Sequence, residues 1–212
     1  MIAIIDYDAG NIRNVEHALY HLGQRCTVTD DPAVIEDADR VILPGVGAFG
    51  AAMDTLRAKG LDETIRRVTA AGTPFLGICL GLQLLFLESE ESPGVKGLGI
   101  LDGRILRIPD DASLKVPHIG WNSLEHPNSG RLFKGVDNGS FVYFVHSYYL
   151  RADDPAIVTA TCDYGVTVDA SVESGNIFAC QFHPEKSGEP GLQLLRNFAS
   201  DKNAKPREDA LC

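Results

Sequence analysis

Pro74-Phe75-Leu76-Gly77-Ile78-Cys79-Leu80-Gly81-Leu82-Gln83-Leu84-Leu85 decides how this chain folds. Residues 74–78 are continuously apolar, the pattern of a strand buried on both faces. Residues 80–88 read as an amphipathic helix that opens directly after it. Upstream, residues 2–6 form a short apolar run, and residues 11–22 carry Ile12, Val15, Leu19 and Leu22 at helical spacing. Residues 25–29 and 39–43 read as further strands, the latter closed by Pro44-Gly45, and residues 51–71 as helix interrupted near Gly60. Alternating strands and helices, with strands that are apolar throughout, specify an α/β fold: a mostly parallel sheet covered by helices on both faces.

The second half changes character. Residues 104–108, 141–150, 156–161 and 177–182 are short strand-like runs set among Gly, Pro, Asn and Asp, and read as antiparallel additions to the sheet. Residues 191–200, with Leu192, Leu195 and Phe198, read as a closing helix. With neither repeats nor a low-complexity linker, residues 1–200 are expected to form one domain. Residues 201–212, polar and aperiodic, are expected to be a frayed tail.

Composition narrows the function. The chain has 212 residues, 44% hydrophobic and 23% charged, enough apolar content to build a core. Its 19 Lys and Arg are scattered and outnumbered by 29 Asp and Glu, giving a net charge of −10, so nucleic acid is not an expected partner. No apolar run approaches the ~18–20 residues of a membrane span, and Met1-Ile2-Ala3-Ile4-Ile5-Asp6 reads as a buried strand rather than a signal peptide. The five cysteines (Cys26, Cys79, Cys162, Cys180, Cys212) form no CxxC pair, which argues against both a disulfide framework and a zinc site. A cytoplasmic location is expected, with no metal and no cofactor.

Cys79 stands apart from the other cysteines. Gly77-Ile78-Cys79-Leu80-Gly81 is a nucleophile elbow with Cys in place of Ser. The sharp turn should project the side chain into solvent, the glycines remove Cβ atoms that would clash, and the helix N-terminus favours a thiolate. A base is available in His183-Pro184-Glu185. In an extended segment residues i and i+2 share a side, so the carboxylate can orient the imidazole as in a catalytic triad. The remaining histidines (17, 21, 118, 126, 146) show no comparable partner and no metal-binding spacing.

Gly45-Val46-Gly47-Ala48-Phe49-Gly50 matches GxGxxG, but it follows the third strand rather than the first, and no strand-ending acid lies about 20 residues on. A better reading is a flexible loop at the carboxyl end of a parallel strand. There the Val46 and Leu80 N–H groups would form an oxyanion hole.

Cys79, His183 and Glu185 with Pro44-Gly45-Val46-Gly47 resemble the class I glutamine amidotransferases. Asn11-Ile12-Arg13-Asn14-Val15, Pro117-His118-Ile119-Gly120-Trp121-Asn122, Tyr143-Phe144-Val145-His146-Ser147-Tyr148 and Gln181-Phe182-His183-Pro184-Glu185-Lys186-Ser187 are similar to the glutaminase subunits of imidazole glycerol phosphate synthase, a histidine-biosynthesis family. The resemblance implies a flavodoxin-like fold and hydrolysis of L-glutamine to glutamate and ammonia. It implies glutamine binding through Gly47, Gln83, Glu91, Ser147 and Tyr148. Gln83 has a reason of its own, lying one helical turn beyond Cys79. Glu91 belongs to an acidic cluster with Glu88 and Glu90 that reads either as a partner for the substrate ammonium or as a solvated helix end.

The same resemblance implies a (β/α)8-barrel cyclase partner in a heterodimer, fed with ammonia through a tunnel. That partner would make imidazole glycerol phosphate and aminoimidazole carboxamide ribotide. Asn11, Asn14, Trp121, Asn122, Tyr143 and Lys186 would line the interface. Trp121, the single Trp of the chain, suits an interface hot spot, with core packing as the alternative. Two alternatives are a glutaminase serving another synthase, such as pyridoxal phosphate synthase, and a non-catalytic flavodoxin-like binding module. Pro117–Asn122 and His146-Ser147-Tyr148 argue against the first. A single fast-reacting thiol protected by glutamine would exclude the second.

Overall fold

Four-residue apolar strands build the centre of the molecule, whose computed structural model describes residues 1–8, 11–110 and 114–201. The first half runs β1 (Ile2–Ile5), α1 (Ile12–His21), β2 (Cys26–Thr29), α2 (Pro32–Asp37), β3 (Arg40–Leu43), α3 (Phe49–Ala58), α4 (Leu61–Ala70), β4 (Phe75–Ile78) and α5 (Leu80–Leu84). The second half runs β5 (Glu88–Ser89), β6 (Gly103–Arg107), β7 (His118–Ser123), β8 (Phe141–His146), β9 (Tyr148–Ala152), β10 (Val158–Asp163), β11 (Thr167–Ser174), β12 (Ile177–Cys180) and α6 (Gly188–Ser200).

Seven strands form the main sheet in the order β10-β11-β12-β4-β3-β1-β2. Strands β2, β1, β3, β4 and β12 are parallel. β11 and β10 continue the sheet antiparallel at one edge. Side chains alternate between the faces with the period of two that a strand imposes. Ala3, Ile5, Val41, Leu43 and Phe75 pack with Ile35, Met53, Leu56, Ile65 and Leu82, from α2 to α5. Ile2, Ile4, Ile42, Leu76 and Ile78 pack with Val15 and Leu19 of α1 and Leu194 and Phe198 of α6. Both faces are thus covered, as the unbroken apolar strands require.

Several sequence expectations are corrected. The helix expected over 80–88 stops at Leu84, because a returning segment takes its carbonyls: Leu98 N–H bonds Leu84 O at 2.9 Å and Ile100 N–H bonds Leu85 O at 2.8 Å. The strand expected over 141–150 divides at Ser147 into β8 and β9. These two and β6 do not join the main sheet: β9 pairs with β6 in a three-stranded sheet and β8 with β7 in a two-stranded one, while β12, expected as antiparallel, runs parallel to β4. Strands β7 and β11 and helix α2 are additional elements. The start of α2 carries its own signal, since Asp31 accepts the Ala33 N–H at 2.9 Å and Pro32 occupies the first turn. The break at Gly60 is as expected, with φ 66 separating α3 from α4. Asp201 is held by Arg131, Nη1 to Oδ2 at 2.9 Å, and the rest of the expected tail lies outside the described residues.

Among the described residues no helix is long and apolar enough to cross a membrane, and Cys26, Cys79, Cys162 and Cys180 are free thiols. One buried carboxylate joins the small sheet to the large one: Asp169 Oδ2 on β11 accepts the Ala152 N–H of β9 at 2.8 Å. Asp169→Ala leaves that N–H without a partner and should cost about 1–3 kcal/mol. Urea unfolding should then show a lower midpoint at unchanged slope.

Candidate active site

The site is built at the carboxyl end of β4. Cys79 leaves the strand with φ 55, a left-handed backbone rarely adopted by a residue with a side chain. The turn is held because the Cys79 N–H still bonds the Cys180 carbonyl of the neighbouring strand at 2.8 Å. Close approach explains the flanking glycines. A Cβ on Gly77 would lie 2.6 Å from the Gly81 carbonyl oxygen, and one on Gly81 would lie 1.9 Å from that of Leu43. Cys79 is buried rather than projected into solvent. The Val145 carbonyl lies 4.0 Å from Sγ and the side-chain amide of Gln181 at 3.6 Å.

His183 and Glu185 follow β12, and Cys79 acts on the His183 imidazole. Residue 183 is extended, as a residue before proline should be, but Pro184–Lys186 is a 3-10 turn rather than continued strand. The turn brings Glu185 Oε1 to 2.8 Å from His183 Nδ1, and neither side chain is exposed. Asn11 Nδ2 donates to the same carboxylate oxygen at 2.5 Å, and Asn14 Nδ2 donates to Asn11 Oδ1 at 2.5 Å. His183 Nε2 is buried without a hydrogen-bond partner, which leaves that nitrogen for the thiol. Burial opposes the imidazolium, but Cys79 and Glu185 outweigh it and raise the His183 pKa to about 9. The imidazole is therefore set to carry a proton at neutral pH.

The two expected oxyanion donors are not both presented. The Leu80 N–H is spent on the Gly45 carbonyl at 3.4 Å, a long bond. A planar trans peptide places its N–H opposite its carbonyl, so the Val46 N–H points away from Leu80. Gly47 follows with φ 104. The start of α3 is occupied by the protein's own groups: Phe49 N–H bonds Glu91 Oε2 at 2.7 Å and Gly50 N–H bonds Ser92 Oγ at 3.0 Å. No N–H of these two remains for a dinucleotide phosphate. Glu91 is thus tied to the loop that carries Gly47, with one carboxylate oxygen engaged.

On the substrate side, Gln83 uses both amide protons internally. Its Nε2 donates to the Tyr148 carbonyl and to Gln181 Oε1, each at 3.0 Å. Ser147 lies at the break between β8 and β9, and its carbonyl accepts the Ile108 N–H at 2.9 Å.

Away from the cleft, Trp121 and Tyr143 are cross-strand partners on β7 and β8, with ring centroids 6.1 Å apart. Lys186 places its ammonium 5.8 Å from the Tyr143 ring centre. Trp121 is exposed, as are Ile119 and Phe141 on the same hairpin, so these residues form a surface patch rather than a core. Asn122 points to the other face of β7, where it bonds the Asp163 carbonyl at 2.8 Å. Asn11 is drawn onto the Glu185 carboxylate, and Asn14 bonds Asn11.

The model of one protein family, described as glutamine amidotransferase class-I, matches residues 3–202. The chain belongs to this family. A protein named imidazole glycerol phosphate synthase subunit HisH from Syntrophotalea carbinolica is 52% identical over 203 residues, covering 93% of this chain and 98% of that relative. The protein of the same name from Methanothermobacter thermautotrophicus is 53% identical over 198 residues, covering 93% and 97%. A crystal structure of a glutamine amidotransferase superposes with TM-score 0.73 at 22% identity, covering 93% of this chain and 99% of the other. The PurLQS structure from Thermotoga maritima superposes with TM-score 0.72 at 23% identity, covering 93% and 96%. At those identities the two structures speak for the fold alone.

In this amidotransferase two buried histidines that the sequence left unpartnered form a pair. His146 Nδ1 bonds the Tyr148 carbonyl at 2.9 Å, so its Nε2 accepts from His118 Nδ1 at 3.0 Å. Burial lowers their pKa values to about 3 for His146 and about 4 for His118, so both are neutral. Partners 28 residues apart, on strands β7 and β8, leave no local signal. Gln181 was legible in principle, because it lies two residues before His183 on the same extended run.

The raised His183 pKa has a stability consequence. A histidine at ~6.5 unfolded and about 9 folded binds more protons in the native state. Its stabilising contribution is complete below pH ~6.5 and lost as pH rises through about 9. The unfolding free energy should therefore decline between pH 7 and 9.5 more steeply in the native chain than in His183→Gln, as read by urea titration at each pH.

Proposed function

We propose that this amidotransferase hydrolyses L-glutamine as the glutaminase subunit of an imidazole glycerol phosphate synthase of histidine biosynthesis, in the cytoplasm. The observation that carries the chemistry is the assembly of Cys79, His183 and Glu185 at one end of the sheet, with Nδ1 to Oε1 at 2.8 Å. The Cys79 thiolate attacks the side-chain amide carbon and pushes an electron pair onto its oxygen. As the tetrahedral species collapses, the C–N bond breaks and the His183 imidazolium gives its proton to the departing ammonia. Neutral His183 then takes a proton from water, whose oxygen displaces the thiolate from the thioester and releases glutamate. Glu185, held by Asn11, keeps the imidazole oriented throughout.

Glutamine lies against Gly47, Gln83, Glu91, Ser147 and Tyr148. Because both Gln83 protons are engaged, only its Oε1 can meet a substrate donor. The ammonia passes through a tunnel to a (β/α)8-barrel cyclase docked around Trp121, Tyr143 and Lys186, with Asn11, Asn14 and Asn122 at the same interface. Support for that docking face is the exposed aromatic and apolar patch beside the triad. The relatives' shared name favours this partner over that of pyridoxal phosphate synthase.

Cys79→Ser should abolish glutamine-dependent synthesis by the complex while leaving synthesis from free ammonium salt intact, since serine is a weak nucleophile without a retuned base. Loss of both activities would refute the division of labour.

The blocked oxyanion hole implies that the isolated chain is slow. Rotation of the Gly45–Val46 peptide, favoured by the liganded cyclase, would turn the Val46 N–H inward and free the Leu80 N–H. One such donor is worth about 10²–10³ in kcat. The isolated chain should therefore run at least ~10²-fold below the liganded complex. Val46→Pro, lacking the N–H, should lower the stimulated rate alone.

A further inference from the structure

The nucleophile has a second neighbour besides His183. Gln181 is fully buried, and its Nε2 lies 3.6 Å from the Cys79 sulfur. The direction of this contact is set by an atom that cannot reverse its role. The Tyr148 carbonyl only accepts, so Gln83 must turn its nitrogen toward it. The second proton on that nitrogen goes to Gln181 Oε1 at 3.0 Å. Gln181 must then present its oxygen to Gln83 and its NH2 to the sulfur. A chain of two buried amides thus delivers a donor, not an acceptor, to Sγ.

We propose that Gln181 is a further catalytic residue of the glutaminase site: its amide N–H holds the Cys79 sulfur in the anionic form that attacks glutamine. The proposal rests on Cys79 being the nucleophile. A donor bonds a thiolate more strongly than a thiol, because the acceptor is then charged. The Val145 carbonyl at 4.0 Å acts the other way, as the acceptor available to an S–H. The other titratable groups acting on this sulfur are His183, Tyr7 and Cys180. Burial first, and then the neighbouring Cys79, raise Tyr7, while burial followed by Glu185 and Cys79 raises Cys180, so both stay protonated through the assay range. Of these titratable groups only His183 favours the anion, and the Gln181 amide adds to it and to the start of α5.

The test is the pH profile of Cys79 alkylation by iodoacetamide in the full chain, read by peptide mass spectrometry with and without glutamine. Gln181→Met keeps the length of the side chain and removes the donor. It should alkylate about tenfold more slowly at pH 6.5 and match the native chain at pH 10. Gln181→Glu keeps the oxygen that receives the Gln83 N–H but turns a second oxygen to the sulfur. It should move the profile at least as far, and it carries the test if the Met variant does not fold. Unchanged profiles, or rates reduced equally at every pH, would overturn the proposal and leave Gln181 a packing residue. If glutamine fails to protect Cys79 in the native chain, the nucleophile assignment itself fails, and this proposal with it.

Discussion

The hydrogen bond from the Cys79 N–H to the Cys180 carbonyl, 2.8 Å long, is the constraint on which the candidate site depends. It extends the parallel pairing of β4 and β12, in which Ile78 stands beside Cys180. Everything between residues 80 and 176 is inserted between these two strands, yet they lie side by side in the sheet. Parallel neighbours end at the same edge, so the elbow after β4 and the Gln181–Glu185 segment after β12 face one another. Open α/β sheets present their crevices at this carboxyl edge.

Part of the cost of the arrangement falls there as well. Cys79 holds a positive φ, a strained position for a residue with a Cβ. Buried polar side chains are normally paired, and Gln83, Gln181, His118 and His146 all are. His183 Nε2 and Glu185 Oε2 are not. An unpaired ring nitrogen beside a thiol is what proton transfer to a leaving group requires. An energetic defect in the fold and the chemical capacity of the site thus coincide in one atom.

The exposed patch and the triad are joined by backbone. Tyr143, whose ring is paired with Trp121 on the surface, accepts the His183 N–H on its carbonyl at 2.9 Å. Its own N–H bonds Ser187 Oγ at 3.0 Å, and Ser187 Oγ donates back to the His183 carbonyl at 2.6 Å. A displacement of β8 at the surface would act directly on the turn that sets the imidazole. The physical route from the exposed patch to the His183 imidazole is therefore one strand thick.

The sequence by itself determined the parallel α/β core, the elbow and the pairing of His183 with Glu185. Those features are encoded locally: apolar runs of four, glycines two residues either side of Cys79, and a His-Pro-Glu triplet. Tertiary structure decided the rest. The early end of α5 comes from carbonyls captured by residues 98–101, and the split of residues 141–150 from their leaving the main sheet. The His118–His146 pair, the hold of Asn11 on Glu185 and the amide chain to Cys79 join residues 28 to 174 positions apart. No spacing rule reaches across such separations. Hydrogen bonds depend on angstroms and angles that only the packed sheet imposes, whereas hydrophobic period and glycine placement are written residue by residue.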